Sequence, residues 1–155
     1  MELRYIALNG ASGHEAGQLL LAQLYREKTG NPLPQILRQP RGKPCFADSD
    51  LHFSVSHTKH YAFCVLSEKN IGIDAEETDR KIDLRLAEKI LSPAEKARFD
   101  AAGDKRAALL KMWVLKEAAG KLTGDGINGY PNHTDFSPDD PRVREIAGCY
   151  VAILE

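Results

Sequence analysis

Asp74 and Glu76 stand two residues apart in GIDAEE, residues 72–77. On a strand that spacing sends both carboxylates out of the same face. Two like charges side by side repel unless a cation lies between them, and a hard ion such as Mg²⁺ takes oxygen ligands. A plainer reading, an exposed strand end with solvated acids, stays open on the spacing alone. Trp113, Glu117 and Lys121 recur at intervals of four in WVLKEAAGK, so they form one stripe of a helix. A surface Glu–Lys pair worth ~0.3–0.5 kcal/mol would account for the last two. The setting argues for more. Met112, Val114, Leu115, Ala118, Ala119 and Leu122 make the segment apolar on most sides. A partly buried carboxylate needs a cation or a hydrogen-bond partner. A metal ligand at Glu117, with Lys121 beside it, would meet that need.

The remaining reactive side chains carry weaker signals. His57 and His60 are three apart, but two histidines with no third soft ligand nearby are a poor zinc site. Ser56-His57 lacks a nucleophile elbow, so hydrolase chemistry is not indicated. Cys64 lies within an apolar run and reads as a small buried residue rather than a nucleophile.

These residues need elements to hold them. Residues 3–8 read as a strand, and Ser12 caps a predicted helix over 14–28 that Gly30-Asn31-Pro32 ends. Residues 35–39 suggest a strand, and Arg41 to Pro44 a turn. Strands are then predicted over 52–56, 61–67 and 70–76, with Glu68-Lys69-Asn70 as a hairpin turn, giving an antiparallel meander. Asp83 caps a predicted helix over 84–90. Ser92-Pro93-Ala94-Glu95 is a capping box that opens a helix to about Ala101. Asp104 opens a long helix over 105–122, ended by Gly124 and Gly126, and a strand over 148–154 comes last. This order predicts an α+β fold with two lobes, 1–71 and 72–155.

Composition bounds the partners. The chain has 155 residues, 43% hydrophobic and 28% charged, the balance of an ordinary folded domain with room for one core. Its formal net charge is −1, so no global field points to nucleic acid. The longest apolar run, Cys149 to Leu154, is far below the ~20 residues of a membrane helix. The first ten residues are not expected to form a signal peptide. Three cysteines without a CxxC suggest neither a disulfide framework nor a zinc ribbon. A reduced, cytoplasmic protein is expected. Two basic groups stand out: Arg38, Arg41 and Lys43, and the run Lys105, Arg106, Lys111, Lys116, Lys121. Each reads either as a solvated face or as a patch for an anionic partner.

GKPCF at 42–46, HFSVSHT at 52–58, GIDAEE at 72–77 and WVLKEAAGKLTGDG at 113–126 occur in that order, with 43 positions from Asp74 to Glu117. The series resembles the Sfp-type 4′-phosphopantetheinyl transferases, whose pattern is a GKP turn, an F-x-x-SH segment, a G-[IV]-D-x-E strand and a W-x-x-KE-x-x-x-K helix. The resemblance implies two similar α+β lobes related by a pseudo-twofold, with the active site between them, in a monomer. It implies Mg²⁺-dependent transfer of phosphopantetheine from coenzyme A to a serine of an acyl or peptidyl carrier protein, releasing 3′,5′-ADP, a holo-acyl-carrier-protein synthase type of activity. Asp74, Glu76 and Glu117 resemble the metal ligands. Glu117 also resembles the base, and Lys121 the lysine that meets charge at the phosphate. Lys43 and His57 resemble coenzyme A contacts, with Arg38 and Arg41 as further cations on or near the GKP turn. The segment before the first helix is shorter than the pattern, and Glu15 stands where a cation is common. Arg41 and Lys43 are therefore expected to carry most of the recognition of the 3′-phosphate. The alternative is a degenerate homologue that binds coenzyme A or a carrier protein without turnover. Carrier proteins are acidic, so Lys105, Arg106 and Lys111 are the expected docking face.

Overall fold

A computed structural model describes residues 1–126 and 133–155. The chain begins with strand β1 (Glu2–Ala7) and helix α1 (Gly13–Thr29), followed by β2 (Ile36–Arg38), β3 (Pro44–Phe46), β4 (His52–His57), β5 (Tyr61–Ser67) and β6 (Gly72–Glu77). A 3₁₀ turn (Leu84–Leu86) runs into the short α2 (Ala87–Ile90). Helices α3 (Pro93–Ala101) and α4 (Lys105–Thr123) come next, then β7 (Val143–Ile146) and β8 (Cys149–Leu154). The fold is α+β.

The helix ends follow local chemistry. Ser12 Oγ accepts the Glu15 N–H at the start of α1, and Gly30 closes that helix at φ 74°. Asp104 accepts the Ala107 N–H at 2.9 Å at the start of α4, and Gly124 ends it at φ 81°. The Ser92/Glu95 capping box forms as the sequence predicts, with Pro93 in the first turn of α3.

Two three-stranded antiparallel sheets, ordered β1-β5-β4 and β6-β8-β7, and a small β2-β3 ribbon make up the strands. Helix α1 lays Leu20, Leu21 and Leu24 against Ala62, Cys64 and Leu66 on one face of β5. The other face of β5 offers Phe63 and Val65 to Ile73 and Ala75 of β6 and to Cys149 and Val151 of β8. Period-two alternation thus buries β5 on both sides and joins the two sheets in one apolar core. Helix α4 covers the second sheet with Val114, Leu115 and Ala118 against Ala152 and Leu154.

The expected meander is half right. β4 and β5 form a hairpin, His57 opposite Ala62. The turn at Glu68-Lys69-Asn70 instead carries the chain into the second sheet, where β6 pairs with β8, Gly72 opposite Leu154 and Glu77 opposite Cys149. A partner that distant in sequence leaves no local signature. β3 and β7 were not expected as strands, and the helix expected over 84–90 is divided between the 3₁₀ turn and α2.

No backbone ladder joins β4 to β6, although each is the edge of its sheet. Serines close the seam. Ser54 Oγ accepts the Ile73 N–H at 3.1 Å, and Ser56 Oγ accepts the Ala75 N–H at 3.2 Å. An edge strand's unpaired donors are satisfied in this way.

Lys116 belongs to a run read from sequence as a basic surface, and the structure corrects that reading. Lys116 and Glu95 are both fully buried, with Nζ 2.7 Å from Glu95 Oε2. Lys116 also donates to Thr134 Oγ1 at 2.5 Å, and Thr134 donates to Glu95 Oε1 at 2.7 Å. Glu95 further accepts the N–H of Ser92 and of Phe136. Such a pair is tolerable in a core only when its remaining hydrogen-bonding capacity is filled, as here. Burial alone would raise the Glu95 carboxyl, but the hydrogen bonds from Lys116, Phe136, Ser92 and Thr134 hold it below the usual carboxylate range.

Two outcomes are expected. A Cβ at position 72 would lie 2.1 Å from the Ala118 carbonyl oxygen and 2.6 Å from the Leu122 nitrogen. Gly72→Ala should therefore cost about 1–3 kcal/mol in denaturant titration, and an unchanged midpoint would contradict the close packing of α4 on β6. Because the folded-state pKa of Glu95 is depressed, its contribution is complete above the ordinary Glu value of ~4.3 and is lost as pH falls below it. Glu95→Gln should flatten that acid limb of the stability–pH curve.

Candidate functional site

A cavity of about 540 Å³ opens between the N-terminal end of α1, the β2-β3 turn, β4 and the C-terminal half of α4. Its wall includes Ile36, Pro44 and Phe53 on the apolar side and Arg38, Arg41, Glu117 and Lys121 on the polar side. Gly120, Gly124 and Gly126 line the α4 end, where the chain after the helix lies directly on Gly120.

Behind that wall Lys121 pairs with Asp74, which does not itself line the cavity. Asp74 comes from β6 and is only 6% exposed. Its Oδ1 receives the Ser56 hydroxyl at 2.9 Å and the Lys121 ammonium at 2.7 Å. Its Oδ2 is buried with no hydrogen-bond partner. Glu117 lies one helical turn before Lys121 and is half-buried. Burial and then the Asp74 charge push its carboxyl above the ordinary range, against the pull of Lys121 and Arg80. Two carboxylates that repel, one with an empty oxygen in a dry setting, are a donor set suited to a hard cation.

Glu76 stands apart from that pair. Its Oε1 is held by the Arg80 guanidinium, four residues on. Among the described residues no three acidic, His or Cys side chains converge as a preformed metal cluster. Lys121 was expected beside Glu117 on one stripe of the helix, and from there its ammonium also reaches from α4 to β6 and pairs with Asp74.

The basic residues are distributed more unevenly than the sequence suggests. Arg38 and Arg41 line the cavity. Arg38 donates to the Gly42 carbonyl at 3.0 Å, and Arg41 pairs with Asp125 beyond the end of α4. Lys43 lines the cavity with its stem, but all three ammonium protons have acceptors: Asn70 Oδ1 at 2.5 Å, Ile71 O at 3.1 Å and Leu122 O at 2.9 Å. That is the post of an anchor tying the GKP turn to α4, not of a cation held free for a phosphate. His57 is exposed, with its ring packed over Gly13 in the first turn of α1.

His14 and Gln18 reach the cavity from α1, and neither was singled out for this role from sequence. Glu15, next to His14, is exposed. Ser56, Arg80 and Asp125 were also missed. Ser56 sits in the SH segment, which the sequence offers as a poor nucleophile and as part of the F-x-x-SH pattern, with no role for the serine itself. Cys64 is fully buried, its thiol pushed up to about 12, which makes it inert. His60 pairs with Glu77 at 2.8 Å. On the expected docking face, Lys105 binds the Phe99 carbonyl at 2.8 Å, Arg106 binds the Thr78 carbonyl, and Lys111 lies over the Tyr150 ring. These cations are anchored to their own chain.

The strand carrying Asp74 and the helix carrying Glu117 and Lys121 lie within one family signature. The model of the 4′-phosphopantetheinyl transferase superfamily matches residues 70–150, and the chain belongs to that superfamily. Among curated proteins it is 29% identical over 129 residues to the 4′-phosphopantetheinyl transferase gsp of Aneurinibacillus migulanus, covering 81% of this chain and 54% of the relative. It is 32% identical over 117 residues to the 4′-phosphopantetheinyl transferase psf-1 of Bacillus pumilus, covering 72% and 50%. It is also 33% identical over 114 residues to the 4′-phosphopantetheinyl transferase AcpT of Escherichia coli K12, covering 70% and 56%. The chain spans about half the length of these relatives. No helix among the described residues is long and apolar enough to cross a membrane.

The anchoring role of Lys43 can be measured. Lys43→Met strands the Ile71 carbonyl, and a buried group left without its partner costs about 1–3 kcal/mol. A melting temperature lowered accordingly in the absence of any ligand is expected. An unchanged melting temperature with lost affinity for coenzyme A would return Lys43 to the phosphate.

Proposed function

We propose that this chain transfers the 4′-phosphopantetheine group of coenzyme A to a serine of an apo acyl or peptidyl carrier protein, with Mg²⁺ as its cofactor. One observation carries the reading: the buried, unpartnered Oδ2 of Asp74 near a Glu117 whose carboxyl is raised by burial and then by the Asp74 charge. Superfamily membership and the names of the relatives support the reaction class. The chain is read as two lobes, 1–71 and 72–155, related by a pseudo-twofold, with the cavity between them.

Asp74 and Glu117 would hold the ion, with Glu76 joining once it leaves Arg80. A bound Mg²⁺ supplies positive charge to the pyrophosphate, which makes phosphorus more electrophilic and eases departure of the leaving group. The carrier serine attacks the β-phosphorus of coenzyme A. The new Ser O–P bond forms as the bond to the bridging oxygen breaks, and 3′,5′-ADP leaves with that electron pair. The serine proton passes to Glu117, directly or through a water. Lys121 stands on the same helix face and meets charge that grows on the phosphate oxygens. Arg38, Arg41 and His14 offer cationic or hydrogen-bonding groups to the nucleotide phosphates, and Ile36, Pro44 and Phe53 form an apolar wall for the base.

The test is incubation with coenzyme A, Mg²⁺ and a panel of apo carrier proteins, read as a mass gain of one phosphopantetheine group. Asp74→Ala and Glu117→Ala should each lower turnover by ~10²-fold or more. Lys121→Ala should lower kcat more than it raises the KM for coenzyme A. Chelator should abolish the mass gain and Mg²⁺ restore it. Coenzyme A binding without a mass gain on any carrier would identify a non-catalytic homologue and reject the proposal.

A further inference from the structure

The two oxygens of a carboxylate are chemically equivalent, and the terminal torsion of an aspartate is soft. Something must decide which oxygen of Asp74 is engaged and which stays open. Lys121 alone is a weak choice. Its side chain is 33% exposed and has four rotatable bonds. Ser56 differs in each respect. It is 5% exposed, has a single side-chain torsion and sits on a strand at the seam between the sheets.

The direction of its hydrogen bond is also decided. Ser56 Oγ already accepts the Ala75 N–H at 3.2 Å. Its one proton is then free to go to Asp74 Oδ1, 2.9 Å away. The same seam contains a built-in comparison. Ser54 accepts the Ile73 N–H at 3.1 Å just as Ser56 accepts that of Ala75. Asp74 immediately precedes Ala75, whereas the residue before Ile73 is Gly72, which has no side chain to receive a proton. Both serines close the seam, and only Ser56 also reaches a carboxylate.

We infer that Ser56 is a positioning residue for the cation site: its hydroxyl locks Oδ1 of Asp74 toward β4, and Oδ2 is thereby presented as the ligand atom. This rests on the metal reading proposed above. Ser56 acts through Asp74 and makes no bond to the ion.

The test measures Mn²⁺ binding to the full chain without coenzyme A or carrier protein, by loss of the free-ion paramagnetic resonance signal. The proteins are wild type, Ser56→Ala, Ser54→Ala and Asp74→Asn, each with its melting temperature. Partners that orient a ligand typically change metal affinity by 10- to 100-fold when removed, so Ser56→Ala should weaken Mn²⁺ binding by about that factor. Ser54→Ala should lower the melting temperature comparably and leave the affinity near wild type. If Ser56→Ala does not fold, Ser56→Cys, a close steric match with a weak donor, takes its place and should show the same loss. Wild-type affinity in the Ser56 variant, with binding lost in Asp74→Asn, would overturn this inference and leave the metal reading standing. Equal losses in the Ser54 and Ser56 variants would also overturn it, since the seam alone would then be responsible. Equal Mn²⁺ binding by wild type and Asp74→Asn would reject the metal reading itself, and the inference with it.

Discussion

Where β6 begins, Gly72 lets the backbone of α4 rest on the backbone of the strand, with the Ala118 carbonyl and the Leu122 nitrogen occupying the space of a side chain. The site depends on this contact. Across it Lys121 of α4 reaches the buried Asp74 of β6, Nζ to Oδ1 2.7 Å. The same closeness brings Glu117 under the influence of the Asp74 charge. Lys43 secures the arrangement from the first half of the chain by joining the β2-β3 turn to Ile71 and to the last turn of α4.

Lys116 and Glu117 are neighbours in sequence with opposite fates. A step of about 100° around the helix turns Lys116 into the core, where Glu95, Thr134 and Phe136 surround it. Glu117 is turned toward the cavity. The buried pair is saturated, and it holds α3, α4 and residues 134–136 in one piece. Asp74 is saturated at one oxygen only, by Ser56 and Lys121. Low dielectric penalises a buried polar atom without a partner, so the structure tolerates at Asp74 Oδ2 a penalty that it avoids at Glu95 and Lys116. Arg80 on Glu76 and Lys121 on Asp74 lower the cost of these carboxylates.

The seam between β4 and β6 links the two sheets to this chemistry. Two edge strands with paired ladders would form one continuous sheet. Serine hydroxyls instead accept the exposed N–H groups from the side. Because a hydroxyl accepts and donates at once, Ser56 satisfies a backbone donor of one sheet and still reaches the carboxylate beside it.

Much of this was legible in the residues themselves. Hydrophobic period, caps and glycine stops located α1, α3, α4, β4 and β5 to within a residue or two, because those signals are local. The spacings within GIDAEE and WVLKEAAGK likewise placed Asp74 with Glu76, and Glu117 with Lys121, since side-chain period is a property of a single strand or helix. What no local pattern contains is the pairing of β6 with β8 and the angle at which α4 crosses β6. Those follow from packing among segments dozens of residues apart, and they decide which charges meet. Lys121 therefore reaches Asp74 as well as facing Glu117 on its own helix, Lys43 serves as an anchor, and Lys116 is buried instead of solvated. The sequence by itself determined the chemical groups and their order along each element. Their partners, and the buried Asp74 oxygen left without one, were decided only when the two sheets and α4 closed around them.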